Sequence, residues 1–268
     1  MKEDYISING INMYYKEEGQ GFPLLGIMGL GANSDWWPPG LINELATKYR
    51  FVMPDNRGAG RTECPEENWS IETNASDTVA LMDALGIEKA HVMGFSMGGS
   101  IAQAIAIHYP DRVGKLILSC TFCGFTSGVS PCDETMDMLG AFATGTLSPE
   151  ETARKTAELL FSRHTFAAYP ELVEGFVWLY NIAPISQDGL IKQMAAGLRF
   201  DSHDLLNHIK APTLIMTGSE DILIPPDNSD ILHQNIPGSR LMKFAPAGHA
   251  FMSEVPEFSA IVMDFLRR

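Results

Sequence analysis

Polar and apolar residues alternate from Tyr5 to Ile8 and again from Ile11 to Glu17, and a period of two predicts strands with one buried face. Asn9-Gly10 between them suits a tight two-residue turn, whose central residues both need positive φ. The chain is therefore expected to open on an antiparallel hairpin. After Pro23 the pattern changes to short unbroken apolar runs at Leu24–Met28, Phe51–Met53, His91–Gly94, Val113–Ser119, Thr213–Thr217 and Leu241–Phe244. Runs of this kind predict strands buried on both faces. Between them, Ile71–Leu85 and Met97–His108 repeat apolar residues at helical spacing, and Gly86 and Pro110 follow as stop signals. A last helix is expected over Glu257–Leu266. Strand and helix in alternation predict an α/β fold: a mainly parallel, twisted sheet with helices on both faces.

One stretch breaks the alternation. From Thr121 to Leu205 no strand pattern occurs, whereas Met136, Leu139 and Phe142, and again Phe176, Leu179 and Tyr180, mark apolar helical faces. The expected organisation is a core in two parts, residues 1–120 and 206–268, interrupted by a helical cap over 121–205. Placed beyond the carboxyl ends of parallel strands, such an insertion would cover the region where open α/β sheets bind ligands.

With 268 residues, 45% of them hydrophobic, the chain is long enough to bury one sizeable core. Its 33 acidic against 19 basic side chains leave a net charge of -14. That field repels phosphate backbones and anionic lipid headgroups, so neither nucleic acid nor a membrane surface is an expected partner. The segment Met1–Tyr5 lacks the basic and apolar pattern of a secretory signal, and a cytoplasmic location is the expectation. Cys64, Cys120, Cys123 and Cys132 are too few for a disulfide framework and are expected as free thiols. Cys120 and Cys123 form one C-x-x-C pair with no second pair or spaced histidine pair after it, so no metal centre is expected.

The residues richest in chemistry are Gly94-Phe95-Ser96-Met97-Gly98. They match G-x-S-x-G and lie between an expected strand and an expected helix, the setting that this nucleophile turn requires. A serine hydroxyl needs an adjacent base, and that base needs a carboxylate to orient it. In this motif's chain order the acid follows the serine and the histidine comes last. Of seven histidines, His249 sits in a loop at the carboxyl end of the Leu241–Phe244 strand, whereas His233 belongs to an expected helix; His249 is the candidate base. Asp221, just past the Thr213–Thr217 strand, is the candidate acid, with Glu220 its immediate rival. A tetrahedral intermediate needs backbone N–H donors. Met97 at the helix start supplies one, and Leu30, in Gly29-Leu30-Gly31 after the first parallel strand, is the candidate for the second. Gly29 and Gly31 lack the third glycine of a nucleotide loop. No cofactor is called for.

With these pieces assembled the chain resembles the α/β-hydrolase superfamily, in particular its cap-bearing serine esterases and lactonases, among them 3-oxoadipate enol-lactonases and acyl-homoserine lactonases. Beside the serine turn, Asp55-Asn56-Arg57-Gly58-Ala59-Gly60-Arg61 is similar to the family's D-x-R-G-x-G-x-S loop, and Gly248-His249-Ala250-Phe251-Met252-Ser253-Glu254-Val255-Pro256 to its G-H-x-x-x-x-E-x-P tail. Met28 stands where a histidine often begins the oxyanion loop, and Arg61 where serine is usual. The resemblance implies acyl transfer to water through an acyl-serine. Relatives that open epoxides or remove halide place an aspartate where Ser96 stands.

The expected activity is hydrolysis of short-to-medium acyl or aryl carboxylic esters. A lactonase is the alternative within the class, and a non-catalytic small-ligand receptor the alternative outside it. Trp36 and Ile222, beside the oxyanion loop and the acid, and Trp178 in the insertion are the candidate pocket residues. Arg154, Arg163 and Arg199 are candidates for binding a substrate carboxylate.

Overall fold

A computed structural model describes residues 1–268. The hairpin forms as the alternation predicts: β1 (Lys2–Ile8) pairs antiparallel with β2 (Ile11–Glu18), and Asn9 and Gly10 both take positive φ, 43° and 76°. The remaining strands are β3 (Phe22–Ile27), β4 (Tyr49–Pro54), β5 (Ala90–Phe95), β6 (Val113–Ser119), β7 (Thr213–Gly218) and β8 (Arg240–Phe244). Together they make one eight-stranded sheet in the order β1-β2-β4-β3-β5-β6-β7-β8. Every pairing from β4 to β8 is parallel.

The unbroken apolar runs are explained by the two faces of this sheet. Leu25, Ile27, Val92, Leu116, Leu118 and Ile215 point into one core. Their sequence neighbours Leu24, Met93, Ile117, Leu214 and Met216 point into the other, as a side-chain period of two requires. The other face is sealed by α1 (Pro39–Ala46) through Leu41, Ile42 and Leu45, whereas α2 (Ile71–Ala84) and α3 (Met97–His108) cover the first. Helix α1 is not among the elements expected from the sequence; it begins at Pro39, and proline is tolerated in a helix's first turn, where its missing N–H is not needed. Helix α2 starts where Ser70 and Thr73 form a reciprocal cap.

Five helices lie between β6 and β7: α4 (Asp133–Thr144), α5 (Pro149–Leu160), α6 (Arg163–Ala168), α7 (Pro170–Tyr180) and α8 (Gln187–Arg199). The only extended pairing in this segment is a single bridge, Gly124 to Asp201. The chain then returns through β7, α9 (Asp227–Asn235), β8, α10 (Phe251–Glu254) and α11 (Phe258–Arg267), whose Phe258, Val262, Phe265 and Leu266 complete the second core. No helix is long and apolar enough to cross a membrane.

Candidate active site

Ser96 sits between β5 and α3 with φ 57° and ψ -124°, a conformation that costs a non-glycine residue about 1–3 kcal/mol and persists only where its surroundings enforce it. The flanking glycines show what enforces it. A Cβ on Gly94 would stand 2.3 Å from the Gly98 carbonyl oxygen, and one on Gly98 would stand 2.1 Å from that of Ile27. The turn is thus wedged between two backbones that only hydrogen can separate. Ser96 heads α3, so the Met97 N–H lies in the first helical turn, where amides have no partner within the helix.

His249 follows β8 and is 1% exposed. Its Nδ1 lies 2.7 Å from Asp221 Oδ2, and Asp221 is itself 3% exposed, just past β7. The other carboxylate oxygen, Oδ1, accepts the backbone N–H groups of Leu223 (3.0 Å) and Ile224 (2.8 Å). Both acid oxygens are therefore committed, and the imidazole is pinned through Nδ1 with Nε2 left over. Glu220, the rival acid, is exposed. The Phe95 ring packs edge-on against the imidazole, 5.0 Å between centroids. Ser96 and His249 line the same cavity, with no direct hydrogen bond between them. Such bonds commonly tighten only when substrate is present.

The loop after β3 closes over the serine. A Cβ on Gly29 would lie 2.8 Å from Ser96 Cβ, so the backbone at Gly29-Leu30 touches the nucleophile turn. Ala32 N–H bonds the Gly29 carbonyl, which puts Leu30 at a turn corner whose amide the turn itself does not use. Three side chains hold this loop. Gln193 of α8, fully buried, accepts the Gly31 N–H at 2.9 Å and donates to the Arg57 carbonyl at 2.9 Å. Asn33 donates to the Ala183 carbonyl, and Asn56 to that of Met28. Asp55 accepts the N–H groups of Ser34 and Arg61, and Arg57 forks onto Asp77 of α2 with two bonds of 2.7 Å. Burial pushes the Asp55 carboxyl up. Arg61, at the position where the resemblance expects serine, pairs with Asp35 at 2.6 Å.

The cavity is about 280 Å³ and is lined by 28 residues, 19 of them hydrophobic. Leu30, Trp36 and Met97 line it together with Ser96 and His249. Met136, Leu139 and Phe142 of α4, Leu159 and Leu160 of α5, Tyr180 of α7 and Leu190 and Met194 of α8 form its roof.

Two candidate pocket residues need correction. Trp178 is 70% exposed and lies outside the lining. Val173 and Val177 are buried and Tyr180 reaches the cavity, whereas Trp178, one residue past Val177, is carried about 100° round α7 to the solvent side. Ile222 is 47% exposed, because the turn that bonds Asp221 Oδ1 to the amides of Leu223 and Ile224 points Ile222 outward and those two side chains inward. The arginines are also elsewhere: Arg154 pairs with Glu150 and Glu174, Arg199 donates to the Trp69 carbonyl, and none of Arg154, Arg163 and Arg199 lines the cavity.

Sequence reasoning did not single out Gln193, Ser100 or Glu254 for a role at the site. Glu254, visible only as a letter in the tail motif, accepts the Gly248 N–H at 2.9 Å and the Thr165 hydroxyl at 2.6 Å, tying the histidine loop to α6.

All four cysteines are free. Donor atoms of Cys120, Asp221 and His249 lie within 4.8 Å of one another. Asp221 and His249 are bonded to each other, however, and burial together with the Asp221 charge pushes the Cys120 thiol well up. A metal ion there would have to break that pair and deprotonate the thiol, so the cluster does not fit one.

A nucleophile turn and a pinned imidazole, both opening on an apolar cavity at the carboxyl edge of a parallel sheet, define the α/β class of hydrolytic enzymes. The chain belongs to the alpha/beta hydrolase fold family, whose model matches residues 23–256. It is 31% identical over 278 residues to the 2-hydroxy-6-oxo-6-phenylhexa-2,4-dienoate hydrolase of Comamonas testosteroni, covering 96% of this chain and 91% of that one. Among solved structures it is similar to a thermophilic esterase from Thermogutta terrifontis, with TM-score 0.84, 28% identity and coverage of 100% and 98% of the two chains. It is also similar to Est816, described as an N-acyl homoserine lactone degrading enzyme, with TM-score 0.81, 25% identity and coverage of 98% and 100%. The protein is a hydrolase.

Proposed function

We propose that this hydrolase cleaves carboxylic esters with apolar acyl or aryl groups through an acyl-serine intermediate. The observation that carries the reading is the buried Asp221–His249 bond, facing the same apolar cavity as the strained Ser96. Ser96 Oγ attacks the carbonyl carbon while His249 Nε2 takes its proton, and the carbonyl electrons move onto oxygen. The N–H groups of Met97 and Leu30 receive that oxyanion. As the oxyanion collapses the ester C–O bond breaks, and the imidazolium gives its proton to the departing alkoxide. Water then repeats the sequence on the acyl-serine and releases the acid. Asp221 holds the imidazole in the tautomer with Nδ1 protonated and stabilises the cation that forms. The helices α4–α8 act as a cap whose apolar side chains exclude water and receive the acyl chain.

A lactone is a cyclic ester open to the same steps, and the similarity to Est816 keeps it as the second reading. The test is hydrolysis of p-nitrophenyl acyl esters from acetate to octanoate, set against N-acyl homoserine lactones, an enol-lactone and 2-hydroxy-6-oxo-6-phenylhexa-2,4-dienoate. Higher kcat/KM on the open esters, abolished in Ser96→Ala, is expected. Higher kcat/KM on lactones would move the assignment to the second reading. Turnover of the dienoate alone would overturn both.

A further inference from the structure

Nine buried polar side-chain atoms have no hydrogen-bond partner, and two belong to residues that line the cavity: Ser100 Oγ and Trp36 Nε1. The Trp36 ring borders both this cavity and a separate outer groove, so its N–H does not define a position within the cavity. Ser100 does. It is 1% exposed and stands four residues after Ser96, one helical turn further along α3.

A serine or threonine inside a helix ordinarily turns its hydroxyl back to the carbonyl four residues before it. Thr78 does so to Asn74 at 3.0 Å, and Thr156 to Thr152 at 2.7 Å. Ser100 does not, and the Ser96 carbonyl is taken by the Gly99 N–H at 2.8 Å. A buried hydroxyl without a partner costs folding stability, and alanine would be both free of that cost and a better helix former.

We propose that Ser100 Oγ is a substrate-recognition hydroxyl that hydrogen-bonds an acceptor oxygen on the acyl group. Among the esters the cavity admits, those whose otherwise apolar acyl chain carries an ether, hydroxyl or keto oxygen near the scissile carbonyl are then preferred over plain alkyl esters. Ser100 stands one turn of α3 beyond the nucleophile, so the acceptor is an oxygen a few atoms along the acyl chain from the scissile carbonyl. The acyl side stays in the cavity after the alcohol departs, so one contact there serves both acylation and attack by water. This inference rests on the acyl-serine reading above and names its substrate class.

The probes are p-nitrophenyl pentanoate and p-nitrophenyl 3-methoxypropanoate, which have acyl chains of equal length and differ in a methylene replaced by oxygen. The quantity read is the kcat/KM ratio of ether to alkyl ester in the wild type divided by the same ratio in Ser100→Ala, which cancels their intrinsic reactivities. One net hydrogen bond predicts about fivefold. A value within twofold of one overturns the proposal. Ser100→Ala is also expected to melt at or above the wild-type Tm, whereas a lowered Tm would show that the hydroxyl already has a structural partner. Calorimetric binding of both esters to Ser96→Ala, with and without Ser100→Ala, gives the same double ratio without turnover. If Ser96→Ala still hydrolysed esters at the wild-type rate, the nucleophile assignment would fall while the binding ratio still decided the subsite.

Discussion

Asp221→Asn isolates what the buried acid does, because the structure dictates how the asparagine must sit. Oδ1 accepts two backbone N–H groups, from Leu223 and Ile224. An amide nitrogen there would set donor against donor, so the amide oxygen takes that place and the NH2 group faces His249 Nδ1. Nδ1 must then accept, which moves the ring proton to Nε2 and leaves no lone pair facing Ser96. The side chain keeps its shape and its two backbone bonds, so the fold is retained while the base is lost. In a Ser-His-Asp triad the same tautomer trap costs about 10⁴-fold, or about 5 kcal/mol of transition-state stabilisation. Asp221→Ala orphans the same two amides and the imidazole N–H, each at about 1–3 kcal/mol, and is expected to melt well below Asp221→Asn. The assay is kcat/KM on a p-nitrophenyl ester near pH 8, with thermal melting as the control and Glu220→Gln, at an exposed position, as the comparison. Folded Asp221→Asn within tenfold of wild type, or Glu220→Gln the more damaged, would refute the assignment of the acid.

Gln193→Leu strands the Gly31 N–H and the Arg57 carbonyl, so stability is expected to fall by about 2–4 kcal/mol and kcat by about tenfold as the oxyanion loop loosens; denaturant unfolding and steady-state kinetics read the two. Burial, with Lys115 and Lys89 adding to it, lowers the His91 pKa to about 4, whereas the unfolded chain protonates this residue near 6.5. Below pH 6.5 the unfolded state binds a proton that the folded state refuses, so stability is lost as pH falls from 6.5 to about 4; His91→Phe should flatten that limb of a pH series of melts. Among the thiols, the exposed Cys132 has its pKa lowered by bonding to Thr135, whereas burial raises those of Cys64, Cys120 and Cys123. Iodoacetamide should label Cys132 first and reach Cys120 and Cys123 only on unfolding, as peptide mass mapping would show.

The parts of this molecule legible in sequence are those where a local pattern and a tertiary requirement coincide. Apolar runs such as Leu116–Leu118 face cores on both sides of the sheet and carry no ambiguity of face. Gly94 and Gly98 are dictated by backbone clearances, a Cβ on either standing within 2.3 Å of a carbonyl oxygen, and with Ser96 they read directly as a motif. Asp221 and His249 follow from their places at strand ends. The residues missed lack such coincidence. Helix phase cannot be fixed from residue type alone, which is how Trp178 came to be expected in the cavity while Tyr180, two residues on, lines it. Gln193 and Ser100 are polar letters within helices; only the folded chain shows that the first is spent on two backbone groups and the second on none.

Covalent capture of Ser96 is the most direct measurement. An organophosphonate with a p-nitrophenol leaving group reacts with an activated serine as an ester does but is not released. Intact-mass and peptide mapping should find one adduct, on Ser96, absent in Ser96→Ala and formed at least about 10²-fold more slowly in His249→Gln. Folded wild-type protein that takes up no label, or takes it up on another residue, would contradict the account.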